Sequence, residues 1–185
     1  MPPPNEQEKK FVQYLQTLAA AENRAALAAL RRGLSQQPGS VAEMHRYVVP
    51  WLPRDPRRED AFYLAASLFA THPVSWEAGG NERTNLGASF ARLAAQDPAG
   101  ESTEKRFASL LNSHPDDLPQ HLRHAVTLLK SKSVPIDYAQ LLHDIQSWGW
   151  ESRAAQREWA RAFWGCDAER PADNEAPASE PAAAS

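Results

Sequence analysis

The sequence predicts an all-α protein of about eight helices in two packed lobes, closed by an acidic C-terminal tail. Three observations predict it. Apolar residues recur at three- and four-residue spacing, and no segment sustains the two-residue alternation of a strand. Pro, Gly, Asp, Asn and Ser punctuate those runs where helices start and stop. The 185 residues, 42% of them hydrophobic, suffice for one core or for two small lobes sharing one.

The elements follow in chain order. Residues 1–4 (Met-Pro-Pro-Pro) are expected to be disordered. The first helical region runs from about Asn5 to Leu34, continuous or broken near Glu22. Leu27, Leu30 and Leu34 form its expected buried stripe, with Arg24 and Arg31 on a neighbouring strip. Gly33 and the Gln-Gln-Pro-Gly after it end this region. Ser40 and Glu43 have capping-box spacing and predict a short helix through Val49, stopped by Pro50. The proline- and arginine-rich stretch Pro53 to Glu59 connects it to the most apolar helix, Ala61 to Thr71, which His72-Pro73 closes. Residues 74–83 read as an exposed, mobile glycine-containing loop, with Trp76 the aromatic expected to be most exposed.

A helix from about Asn85 to Ala95 ends the first lobe, residues 1–98. The second lobe, residues 99–165, opens with a helix that Ser102 can cap and that carries Phe107, Leu110 and Leu111. Asp117 can cap a helix whose first turn holds Pro119, and Asp137 one that begins at Tyr138. Ser152 is placed to cap the last helix, which Gly165 ends. Residues 166–185, rich in Ala, Pro, Glu and Ser, have almost nothing to bury and read as a disordered tail.

Composition narrows the function classes. No run approaches the ~18 apolar residues of a membrane span, and the N-terminus lacks the apolar region of a signal peptide. The single cysteine, Cys166, excludes an internal disulfide framework. These features favour a cytoplasmic protein. No phosphate loop, metal cluster or nucleophile motif implies a cofactor or a catalytic site. The net charge of −3 is unevenly spread: the last 20 residues hold five acids and one base, leaving 19 bases and 18 acids in the body. A nucleic-acid role must rest on where the basic residues sit, not on their total.

Three groups of residues could carry chemistry. His143-Asp144 is the dipeptide of metal-dependent HD phosphohydrolases, with His121, His124, Asp116 and Asp117 as conceivable further ligands. The competing reading, a helix-surface histidine beside a solvated acid, is favoured because a dipeptide is a weak signal. Trp148, Trp150, Trp159 and Trp164 could stack bases, but the helical spacing of Trp159, Phe163 and Trp164 favours core packing. Arg31-Arg32, Lys105-Arg106, Arg123 and Lys130/Lys132 lie on different helices, and Arg153, Arg157 and Arg161 share one helix face. From sequence alone, a solvated surface and a phosphate-binding track are equally open for these cations.

One resemblance goes further. NRAALAALRRG and MHRYVVPWLP, then FYLAASLFATHP, TNLGASFARL, STEKRFASLL, HLRHAVTLLKSKSVPIDYAQLLHDIQSW and REWARAFW follow one another over Glu22–Gly165. Their order and spacing resemble the CasB family, the small subunit of the type I-E CRISPR surveillance complex, Cascade. The resemblance implies a wholly helical, non-catalytic subunit. Two copies would lie head to tail along the CasC backbone, in a complex that also holds the CasA large subunit and CasE. It also implies a role in holding the hybrid of guide RNA and target DNA, and the displaced strand, so that the R-loop is stabilised. Carried over residue by residue, the phosphate ligands implied are Arg31, Arg32, Lys105, Arg106, Arg123, Lys130 and Lys132. After Leu86-Gly87 the family often has an arginine where this chain has Ala88-Ser89, so a contact from that position is not expected here.

Overall fold

The computed structural model describes residues 3–76, 84–96 and 101–165, with Glu101 described by its backbone only. The expectations for residues 1–2 and 77–83, for the lobe boundary at residues 97–100 and for the acidic tail 166–185 lie outside the described residues. Among those described, nine α-helices follow one another: α1 (Glu6–Ala20), α2 (Arg24–Arg32), α3 (Ala42–Val48), α4 (Glu59–Thr71), α5 (Leu86–Ala95), α6 (Glu101–Leu111), α7 (Leu118–Ser131), α8 (Tyr138–Ser147) and α9 (Ala154–Trp164). Short 3₁₀ turns at Gly33–Ser35, Val49–Trp51 and Pro56–Arg58 join some of them. The only extended pairing among the described residues is one parallel bridge between Ser75 and Ile136. The all-α expectation holds.

α4 is the axis of the fold. Every residue from Ala61 to Thr71 is buried, as expected of a helix that is apolar all round. α1, α2, α3, α7 and α8 pack around it, while α5 pairs chiefly with α9. Tyr138 ties α8 to the end of α4 by donating to the His72 carbonyl oxygen at 2.5 Å, and the His72 Nε2 lies 2.7 Å from the Val134 carbonyl.

The cap predicted at Asp137 forms, and two further starts are capped by asparagines that the sequence marks only as helix beginnings. Asp137 accepts the Gln140 amide at 2.9 Å, and Asn85 accepts that of Ala88 at 3.1 Å. α1 opens with a reciprocal box: Asn5 accepts the Glu8 amide at 3.0 Å and Glu8 accepts the Asn5 amide at 2.7 Å. The chain then breaks at Glu22, whose φ is 49°, and Asn23 caps α2.

Other starts differ from expectation. Ser40 does not cap α3; its hydroxyl turns back to donate to the Gln37 carbonyl at 2.7 Å, and Val41 occupies the cap position. Ser102 lies inside α6, which already includes Glu101. Asp117 precedes α7, but its backbone is itself helical and its carboxylate makes no cap bond. Arg153, not Ser152, precedes α9, with φ 47° and its guanidinium donating to the Leu111 carbonyl at 2.7 Å. On α2 the buried stripe is Ala26, Ala29 and Leu30, with Leu27 and Leu34 only half-buried. The small residues face inward because α2 lies against α4.

Candidate nucleic-acid interface

α7 is amphipathic in the ordinary way. Leu118, Leu122, Ala125, Val126 and Leu129 are buried, which turns Arg123, His124, Thr127 and Lys130 away from the core. α6 does the same with Phe107, Leu110 and Leu111 inside and Lys105, Arg106 and Ser109 exposed. Lys130 also sits in the last turn of α7, where a cation complements the helix dipole, and Lys132 follows as its C-cap. Among the described residues, no acid pairs with Arg106, Lys130 or Lys132.

Two cavities flank α7. One, of about 560 Å³, opens between α6 and α7 and has Arg106, His121 and His124 in its lining above Phe90, Leu110 and Leu128. The other, of about 310 Å³, lies between the 33–39 turn, α4 and the start of α7, and Arg123 lines it together with Asp116. The Nε of Arg123 is buried there without a hydrogen-bond partner. An orphaned buried donor normally has a ligand, water or ion to satisfy it.

The two N-terminal arginines are placed differently. Arg31 donates through Nε and Nη2 to the Ala70 carbonyl at 3.0 and 2.8 Å, clasping the last turn of α4. Arg32 is exposed and 3.3 Å from the Glu43 carboxylate. Neither lines either cavity. Thus the fold gathers Arg106 with two histidines on one side of α7 and sets Arg123 against the turn that follows Arg32. The sequence offers His121 and His124 only as conceivable metal ligands; their i, i+3 spacing is the available sign that they share a side of α7.

The His143-Asp144 pair is architectural. His143 Nδ1 lies 3.1 Å from Glu8, a fully buried carboxylate that also accepts from Arg58 at 3.1 Å and Gln146 at 2.8 Å. Asp144 is not the solvated acid expected: it is fully buried and accepts from the Trp159 indole at 2.5 Å and from Gln140 at 2.8 Å. Burial pushes its carboxyl up to about 7, against the opposing pull of those two hydrogen bonds. Neighbours in sequence, the two side chains engage different partners. No group of three His, Cys, Asp or Glu suited to a metal occurs among the described residues.

The tryptophans divide. Trp148 and Trp159 are core residues with ring centroids 4.8 Å apart. Trp164 is 40% exposed, packs on Phe107 and donates to Glu104 at 3.1 Å. Trp150, at 62%, is the most exposed aromatic among the described residues; Trp76 is only half-exposed, beneath the Arg92 guanidinium at 4.2 Å. On the last helix Arg161 is paired with Glu158 and Arg153 is tied to Leu111, so the expected arginine face is partly consumed by internal contacts.

Comparison with known proteins places this arrangement. The family model for CRISPR-associated protein Cse2 matches residues 26–164. A CRISPR-associated protein Cse2 from Thermus thermophilus is 34% identical over 165 residues, covering 86% of this chain and 91% of the relative. The crystal structure of M. ruber CasB superposes with a TM-score of 0.73 at 31% identity, over 88% of this chain and 95% of that one. A chain of a CRISPR RNA-guided surveillance complex also gives 0.73 at 31% identity, over 88% and 96%. The nine helices, their order and these matches together make the chain a member of the Cse2 family, also called CasB.

Proposed function

We propose that this chain is the small, non-catalytic subunit of a type I-E CRISPR surveillance complex and that it holds nucleic-acid backbone without reading sequence. The single observation that carries the assignment is the likeness to a chain of a CRISPR RNA-guided surveillance complex along nearly the whole length of both. The proposed partners are the CasC backbone, the CasA large subunit, CasE, a second copy of the chain, the guide RNA–target hybrid and the displaced strand.

The mechanism is electrostatic. Replacing a DNA duplex by an RNA–DNA hybrid is nearly balanced, so a few backbone contacts can decide whether the R-loop persists. Lys105, Arg106, Arg123, Lys130 and Lys132 of α6 and α7 supply charge-assisted donors to phosphates. Arg31 and Arg32 add contacts from the N-terminal side to the extent that their internal partners release them. The buried, unpartnered Nε of Arg123 supports this reading, since a phosphate oxygen would satisfy it.

The test is the lifetime of an R-loop formed by the complex assembled with Arg106→Glu, Arg123→Glu and Lys130→Glu together. A charge-assisted hydrogen bond is worth about 1.5 kcal/mol or more, so the lifetime should fall at least about tenfold while the complex still assembles. A second reading, a scaffold that only spaces its protein neighbours, draws on the near-neutral body charge and the internal partners of Arg31 and Arg32. An unchanged lifetime with the triple variant would establish the scaffold and reject the phosphate track.

A further inference from the structure

We propose that the cavity between α6 and α7 receives one unpaired nucleobase, with the adjoining phosphate on Arg106. This rests on the nucleic-acid reading above and names the form of strand it takes. The cavity's volume, about 560 Å³, is in the range of small-molecule sites and accommodates a base with its sugar.

Its chemistry is divided as such a ligand requires. Phe90, Leu110 and Leu128 give an apolar floor, and Phe90 is held by Phe107 at 5.0 Å between ring centroids. Ser109, His121 and His124 supply polar edges, and Arg106 supplies a fixed positive charge. Among the described residues, none of these four side chains hydrogen-bonds or ion-pairs within the protein. The other two hydroxyls of the lining, on Thr127 and Ser131, are already turned onto α7 carbonyls at 2.8 and 2.7 Å. The uncommitted groups are therefore the ones that surround the cavity as potential contacts.

Among the described residues no acid lines it, which disfavours a cationic ligand and fits one carrying negative charge. A base within a duplex is stacked and paired and cannot enter. A base in a single strand can leave its stack at little cost, to be held by apolar and imidazole faces.

Fluorescence anisotropy of the full chain tests this with two single strands of equal length, one bearing bases and one with an abasic backbone. Both carry the same phosphates. Base contacts predict that the wild type prefers the base-bearing strand by about tenfold. In Ser109→Trp, which places an indole in the cavity from an exposed position, that preference should fall to within about twofold. Far-ultraviolet circular dichroism confirms that the variant keeps its helices. Equal affinity of the wild type for both strands, or a preference that survives Ser109→Trp, overturns the base site and leaves the phosphate track standing. Absence of binding to either strand overturns the phosphate track and the base site together. Unchanged strand preference with impaired assembly into the complex overturns the proposal in favour of a protein segment in the cavity.

Discussion

At the scale of single residues, the most instructive is Asp144. As half of an His-Asp dipeptide it reads as a metal ligand or a solvated acid, because a dipeptide says nothing of what faces it across the fold. Its actual partner, Trp159, is 15 residues further along the chain, on another helix. The burial has a thermodynamic consequence. The folded carboxyl titrates near 7, against 3.8 for an ordinary aspartate. Between those values the native state keeps a proton that the unfolded chain releases, so this group's contribution is fully present below about pH 4, declines as pH rises and is gone above about pH 7. Asp144→Asn cannot ionise and lacks that dependence. The thermal midpoint of the wild type should therefore fall relative to that of Asp144→Asn between pH 5 and pH 8. A constant difference across that range would show that Asp144 is ionised throughout.

At the scale of elements, the Leu-Gly of α5 has a packing reason. Leu86 is fully buried, and a Cβ built on Gly87 would lie 2.1 Å from the Trp159 carbonyl oxygen. α5 and α9 approach so closely that only glycine fits, and the obstructing atom is backbone, which cannot swing aside. Gly87→Ala should lose about 3 kcal/mol in urea unfolding, the upper end of ordinary overpacking. Ala91→Gly, which alters helix propensity on the same element, should lose only about 1 kcal/mol. Near-equal losses would mean that α5 and α9 can separate without penalty. Such contacts also explain which elements could be read from sequence. Periodicity located the helices because each buries a stripe, and the cap at Asp137 was visible because its two oxygens serve different partners, one the Gln140 amide and the other the Thr84 hydroxyl. Ser40, Ser102 and Ser152 misled because a cap is worth about 1 kcal/mol, little enough for tertiary contacts to shift a helix start. The Arg153 bond to the Leu111 carbonyl is such a contact at the start of α9.

For the whole molecule the question is how a chain of net charge −3, with a body of 19 bases and 18 acids, could bind a polyanion. Long-range attraction is not available to it. At physiological ionic strength, however, exposed charges are screened beyond about 8 Å, so acids elsewhere on the surface hardly oppose a given cation of α6 or α7, though Asp116, in the same cavity as Arg123, is a local exception. The candidate cations were legible in the sequence, but their grouping was not, since it depends on how α6, α7 and the 33–39 turn meet. The proposed phosphate contacts imply a measurable slope. If four or five phosphates are neutralised from α6 and α7, log Kd for a single strand should change with log salt by about 3 to 3.5, at about 0.7 per contact. Arg106→Ala should lower that slope by about 0.7. Arg31→Ala should lower it by less, because the Arg31 guanidinium is already held on the Ala70 carbonyl through two donors. A slope near 5, with equal losses from both variants, would show instead that all seven cations act as one track and that Arg31 leaves α4 when the strand binds.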